Sequence, residues 1–221
     1  MQFWLDVIAE WEQANGQNVL VALAVNKDVQ DAILADPARS KVVDIIGIVQ
    51  WYYHQKGLYA PDGGVNMAPR QYARKIKAGG VRFEDVYRSV REYRDGFPEK
   101  AVVYYAKSFP EMAWAALMAG ASCPAVRINN AQLLTDLPMM HPTKPTNADA
   151  GVYVLQNDQV GALLYAEGGD KQVTLQLPSG TYRLFAVDRK SGVVTPQKGT
   201  INIKGTYTMT VSGIQWLQKI K

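Results

Sequence analysis

At 221 residues the chain exceeds one average domain, and 48% hydrophobic with 20% charged residues is an ordinary globular composition, so two folded domains are expected. The net charge of +4 is scattered; the densest basic cluster, Arg70, Arg74, Lys75 and Lys77, reads as a solvated helix face, and with no recognition motif beside it nucleic acid is not an expected partner. A single cysteine, Cys123, excludes an intrachain disulfide, two histidines give too few ligands for a zinc cluster, and neither a secretory signal nor an apolar run of membrane-spanning length is evident, so no membrane partner is expected.

Phe3, Trp4, Val7, Ile8 and Trp11 recur at helical spacing and predict an amphipathic helix over residues 2 to 14 with a strong apolar stripe, stopped by Gly16. Asn18–Val25 (NVLVALAV) reads as a buried strand, and Asn26-Lys27-Asp28 leads into a short helix through Ile33. Asp36-Pro37 is a helix start, with Asp as cap and Pro at the first helical position. Val42–Val49 (VVDIIGIV) reads as a strand buried on both faces, as in parallel sheets flanked by helices. It ends in Trp51, Tyr52, Tyr53 and His54 and a Gly-rich loop to Gly64, where α/β enzymes place their ligand sites.

Ala68–Ala78 reads as a polar helix ending at Gly79-Gly80, and Phe83, Val86, Tyr87, Val90 and Tyr93 give an amphipathic helix closed by Gly96 and Pro98. Ala101–Ala106 (AVVYYA) is a third buried strand. A helix over Met112–Ala119, apolar all round and therefore deeply packed, follows, and Pro124–Ile128 is a fourth strand. This alternation indicates parallel βαβ units. Asn129–Met140 looks like a last helix.

His141–Ala150 (HPTKPTNADA) has the composition of a linker. Beyond it, alternating strands are expected at Val152–Gln156, Ala162–Ala166, Gln172–Leu177, Tyr182–Val187, Val193–Thr195, Thr200–Ile203 and Tyr207–Val211, separated by turn signals. The expected organisation is thus an α/β domain over 1–140, a linker over 141–150 and a small antiparallel β-sandwich over 151–221.

Four parallel strands with their helices are half of a (β/α)8 barrel. The stretches FWLDVIAEWEQANGQNVLVALAVNKDVQDAILADPARSKVVDIIGIVQWYY, APRQYARKI and VYRSVREYRDGFPEKAVVYYAKSFPEMAWAALMAGAS resemble bacterial TIM-barrel proteins of the glycoside hydrolase type, mainly from polysaccharide-degrading bacteria such as Bacteroides. LPSGTYRLFAVDRKSGVV is similar to the β-sandwich that follows such barrels, a domain named for collagen binding. The resemblance implies that residues 1–140 supply the last four β/α units, that the ligand is a polysaccharide or oligosaccharide, and that the parent protein is secreted or periplasmic. In retaining enzymes of this kind the acid/base follows the fourth strand and the nucleophile the seventh. The fourth strand is not in this sequence, and the seventh, Ala101–Ala106, ends in Tyr104-Tyr105-Ala106-Lys107 without a carboxylate. The two carboxyl groups about 5 Å apart that retention needs are therefore not expected here, and no catalytic residue is assigned.

The expected substrate-binding residues are Asp28, just past the first strand; Trp51 and Tyr53, to stack on a sugar ring; His54, to hydrogen-bond its hydroxyls; and Lys107, to bind a carboxylated sugar. Asp28 also suits the first turn of a helix. Glu111 belongs to a Ser108-x-x-Glu111 capping box, and Asp62 to its turn. A nucleophilic Cys123 would have only His54 and His141 as bases. No metal or organic cofactor is expected. A half-barrel exposes sheet edges and apolar lining, so either the chain is a fragment of a longer enzyme, as its Met-Gln-Phe-Trp opening inside a helix stripe favours, or two chains pair as a homodimer. The expected function is the C-terminal portion of a carbohydrate-active glycoside hydrolase. The alternative is a non-catalytic carbohydrate- or matrix-binding protein on a degenerate barrel scaffold.

Overall fold

A side chain starts the first sheet. In the computed structural model, which describes residues 2–49, 51–54, 57–59, 81–105 and 112–220, Asp44 accepts from the Val21 amide at 2.8 Å while its own N–H donates to the Val21 carbonyl at 3.0 Å. From that clasp β1 (Ala22–Leu23), β2 (Ile45–Ile48) and β5 (Ala101–Tyr104) run parallel in the order β1-β2-β5, with Leu23 beside Ile46 and Ile48 beside Tyr104. The first of two compact units, Met1–Ala125, is built on this sheet. It also holds α1 (Gln2–Asn15), α2 (Lys27–Leu34), α3 (Pro37–Val42), an antiparallel pair β3 (Tyr52–His54) and β4 (Gly57–Tyr59), α4 (Phe83–Gly96) and α5 (Ala113–Met118).

Both ends of α3 are held by side chains, one local and one distant. Asp36 caps α3 by accepting from the Ala38 and Arg39 amides at 3.0 and 3.4 Å, with Pro37 in the first turn. Lys100, buried beside the other end of α3, donates to the Ser40 and Val43 carbonyls at 2.8 Å each, supplying donors where a helix C-terminus lacks them. All six residues of α5 are buried, as an all-apolar helix requires. Gln30, fully buried, reaches the Val25 and Gly47 carbonyls at 3.2 Å with its amide nitrogen turned toward them.

Three expectations are corrected here. The strand expected over Asn18–Val25 shrinks to Ala22–Leu23, because a ladder runs only where β2 offers partners; Leu20, upstream of the clasp, is 84% exposed. No strand forms at Pro124–Ile128, so the described parallel strands number three. The apolar stripe of α1 does not face inward: Phe3, Trp4, Val7 and Trp11 are exposed while Leu5 is buried. In this orientation Arg39 holds Asp6 through two nitrogens at 3.1 and 3.3 Å, and Glu12 accepts from the Val19 amide at 2.8 Å. The polar helix, capping box and turn expected at Ala68–Ala78, Ser108–Glu111 and Asp62 lie outside the described residues.

The second unit, Val126–Lys221, begins before the expected boundary. The helix expected over Asn129–Met140 is shorter, α6 (Ala131–Asp136), capped by Asn130 accepting from the Leu133 amide at 2.9 Å and continued by a 3-10 turn, Leu137–Met139. The segment 141–150 is not a linker. β6 (His141–Pro142) pairs with β8 (Val152–Asn157), and β7 (Asn147–Ala148) pairs with β10 (Lys171–Gln176). Both are short edge strands, the setting in which a Pro-containing segment can still pair. β9 (Gly161–Ala166), β11 (Gly180–Val187), β12 (Val194–Pro196), β13 (Ile201–Ile203) and β14 (Thr206–Val211) match expectation, whereas β15 (Ile214–Lys219) is additional and central, between β11 and β9.

Two antiparallel sheets result: β12-β11-β15-β9-β8-β6, with β13 also on β11, and β14-β10-β7. Val154, Leu164 and Leu217 of the first share one buried cluster with Val173, Leu175 and Val211 of the second. The whole is a mixed α/β chain rich in antiparallel sheet.

Close approach of backbones fixes one glycine. Gly161 has φ +113°, and a Cβ there would lie 1.9 Å from the Leu217 carbonyl oxygen. Gly161→Ala is expected to destabilise the protein by more than about 3 kcal/mol in chemical denaturation. Gly168→Ala, also at positive φ (+76°) but with nothing within 4 Å, should cost only about 1–2 kcal/mol.

Candidate functional site

Two adjacent parallel strands end near one another, and the residues just beyond them meet. After β1 the chain enters α2 at Lys27, which is 6% exposed; after β2 it reaches Trp51, 2% exposed. α4 brings Ser89, Glu92 and Tyr93 against them. The Lys27 Nζ donates to Asp31 Oδ2 at 2.6 Å and to Glu92 Oε1 at 2.7 Å. It lies 5.1 Å from the Trp51 ring and 5.4 Å from the Tyr93 ring. The Tyr93 hydroxyl donates to Asp31 Oδ1 at 2.7 Å, and the Tyr53 hydroxyl donates to Glu92 Oε2. Trp51 meets Tyr53 and Tyr93 edge-on at 5.9 and 5.6 Å. Backbone support comes from Ser89, whose hydroxyl accepts from the Tyr53 amide at 3.2 Å and donates to the Asp85 carbonyl at 2.8 Å.

The electrostatics follow from burial. Desolvation alone would lower the Lys27 pKa, but its hydrogen bonds and charge attraction to Asp31 and Glu92 outweigh that and raise it above its ordinary 10.5, so the ammonium persists at neutral pH. Tyr53 and Tyr93 are raised by burial first and by their carboxylate partners second, so both phenols stay protonated donors. Each carboxylate thus accepts from an ammonium and a phenol at once. The Arg88 guanidinium lies 3.8 Å from the centre of the Tyr53 ring. The accessible rim of this cluster is polar: Asp31 and Glu92 have side chains 46% and 37% exposed, and Arg88 is exposed above Tyr53. The Trp51 Nε1 donor is buried with no acceptor among the described residues.

Of the expected binding residues, Trp51 and Tyr53 are brought together. Trp51 is enclosed, however, with its ring held among Lys27 and two tyrosines. Asp28 sits on the exposed side of the first turn of α2, and its neighbour Lys27 enters the cluster instead. His54 pairs through its backbone with Gly57 at the end of β3. Lys107 lies outside the described residues. Sequence reasoning missed Lys27, Asp31, Arg88 and Glu92, and took Tyr93 for helix-stripe packing. The one local signal for the ion pair is the four-residue spacing of Lys27 and Asp31 on α2. Cys123 is exposed, with φ +52°. Among the described residues no group of three or more His, Cys, Asp or Glu could hold a metal ion, and no helix is long and apolar enough to cross a membrane.

A family model described as a domain of unknown function, DUF6298, matches residues 1–140. The chain belongs to this family. No curated protein matches the chain. The DUF6298 match takes in every residue of the cluster and runs past Ala125 through α6 and its 3-10 turn, leaving β6 to β15 outside it.

Removing the cation tests the cluster. Lys27→Met leaves two carboxylates facing each other and should destabilise the protein by about 1–3 kcal/mol, less than a fully buried pair because both carboxylates reach solvent. A raised folded-state pKa means the Lys27 contribution is complete below its unfolded pKa and is lost as pH climbs through the folded one. The gap between wild type and Lys27→Met in denaturant titrations should therefore hold at neutral pH and close only above about pH 10.5.

Proposed function

We propose that this chain is the C-terminal portion of a carbohydrate-active barrel enzyme of the Bacteroides-type glycoside hydrolase kind, and that it contributes substrate-binding residues rather than the catalytic pair. The observation that carries this reading is the cluster beyond β1 and β2, where parallel-sheet enzymes place their ligands. Asp31, Glu92, the Tyr53 hydroxyl and Arg88 form a rim of acceptors and donors over aromatic rings, a chemistry suited to the hydroxyls of a poly- or oligosaccharide. The barrel reading is supported by the parallel strands and by the exposed apolar stripe of α1, a surface that further β/α units or a second chain would cover. Two antiparallel sheets sharing one buried cluster support a β-sandwich as the accessory domain. The resemblance further implies export of the parent protein.

One observation favours the non-catalytic reading for the residues present. A general acid must have a proton to give, and carboxylates that accept from an ammonium and a phenol together are arranged to accept, not to donate. The same chain could accordingly serve as a carbohydrate- or matrix-binding protein on a barrel scaffold that has lost its carboxylate pair.

Affinity electrophoresis through a panel of neutral and acidic polysaccharides, run beside an aryl-glycoside assay, tests both. At least one polysaccharide should retard the chain, Tyr53→Phe and Glu92→Gln should each weaken that retardation about 3- to 10-fold, and no aryl glycoside should be hydrolysed. Retardation by none of the panel, or equal retardation of both variants, would overturn the binding site. Hydrolysis lost in Glu92→Gln would make the Asp31–Glu92 pair catalytic.

A further inference from the structure

The edges of the second unit are not protected alike. β6 carries Pro142, β12 carries Pro196, and β7 is two residues long, each a known way of blunting an edge. β14 is six residues long, Thr206-Tyr207-Thr208-Met209-Thr210-Val211, with neither proline nor charge. It pairs with β10 on one side; on the other, an isolated bridge ties Thr206 to Lys204 at the start of the strand, and among the described residues nothing pairs with Tyr207–Val211.

From this edge we infer that two copies of the chain join antiparallel through β14, centred on Thr208, doubling the sheet β14-β10-β7 across a two-fold axis. The sequence of the strand is self-complementary in that register. Thr206 falls opposite Thr210 of the other copy, Thr208 opposite itself, and Tyr207 opposite Met209. Hydroxyls therefore meet hydroxyls on the exposed face, and apolar side chains meet on the face that carries the buried Met209 and Val211. A one-residue slip would set Thr against Met or Tyr and turn one sheet over. Just outside the strand the chain turns at Gly205 (φ +92°) and Lys204 bridges back to Thr206, and Thr206–Val211 itself carries no charge to meet its copy across the axis.

The exposed face already uses the same chemistry inside one chain. Thr174 and Thr208 hydroxyls are 2.9 Å apart, Gln172 donates to Thr210 at 2.7 Å, and Thr206 donates to Gln176 at 3.1 Å. A second β14 continues these rows outward. An unprotected, uncharged strand with a palindromic pattern fits another copy of itself better than an unrelated strand, whose side chains would have no reason to alternate in phase.

Cross-linking tests the register directly. In a Cys123→Ser background, which removes the exposed native thiol, Thr208→Cys should give a covalent dimer under mild oxidation. Thr206→Cys should not link to itself, but should link when mixed with Thr210→Cys. Sedimentation over a concentration series should show dimerisation weakened at least tenfold by Thr208→Lys, which sets a lysine against its own copy. The Thr206→Lys/Thr210→Glu double variant, which sets Lys against Glu, should retain it. Equal cross-linking of Thr208→Cys and Thr206→Cys would overturn the inference, as would association that survives Thr208→Lys but vanishes in Trp4→Ser, which places it on α1. Should Thr208→Lys fail to fold by circular dichroism, the cysteine comparison decides alone. Polysaccharide retardation is unaffected by these substitutions if the Lys27 cluster is the binding site, so the two readings fail separately.

Discussion

An ammonium taken out of water must find compensating charge, and that requirement draws α2, α4 and the end of β2 together around Lys27. Asp31, one turn along the same helix, cannot do this alone, because its outer oxygen also receives the Tyr93 hydroxyl. Glu92 supplies the second carboxylate from α4, sixty-five positions away in sequence. Once α2 and α4 are joined in this way, Tyr93 and Trp51 complete the walls, and Tyr53 is held twice, by its amide on Ser89 and its hydroxyl on Glu92. The antiparallel pair β3–β4 is thereby tied to α4. Stability and site geometry therefore rest on the same few atoms, each held by more than one partner, unlike a lone surface ion pair.

What the sequence makes legible is what depends on neighbours along the chain. The Asp36-Pro37 start of α3, the apolar stripe of α4 and the all-apolar α5 are local patterns, and each forms close to where the pattern lies. What it conceals depends on distant partners. Nothing in NVLVALAV says that pairing begins at Ala22; Asp44 decides it. Nothing in the stripe of α1 says that Asp6 will face Arg39 while Phe3 and Trp4 stay exposed. HPTKPTNADA reads as a linker because prolines break ladders, yet an edge strand needs hydrogen bonds on one side only. β15 escapes because Gln215-Trp216-Leu217-Gln218 does not alternate cleanly, and it is nonetheless central.

The candidate site divides along the same line. Trp51 and Tyr53 stand two residues apart at a strand end, and proximity in sequence brings them together. The carboxylates that give the cluster its chemistry come from two helices, and the acidic residue chosen from sequence, Asp28, is displaced by one position on α2. A helix turns by about 100° per residue, so the shift from Lys27 to Asp28 is enough to move a side chain from the interior to solvent.

The edges that β1 and β14 leave unpaired among the described residues call for different completions. A parallel strand such as β1 is normally buried on both faces, and its next neighbour can only arrive through a crossover that brings a helix with it. The exposed aromatic stripe of α1 lies on the helix that leads into that strand, so the proposed barrel answers edge and helix face together, with further β/α units. The edge of β14 is antiparallel and its exposed face is already hydrogen-bonded and polar. It needs no helix and no cover, only a strand whose hydroxyls and apolar groups alternate in step, and the strand that does so is β14 itself.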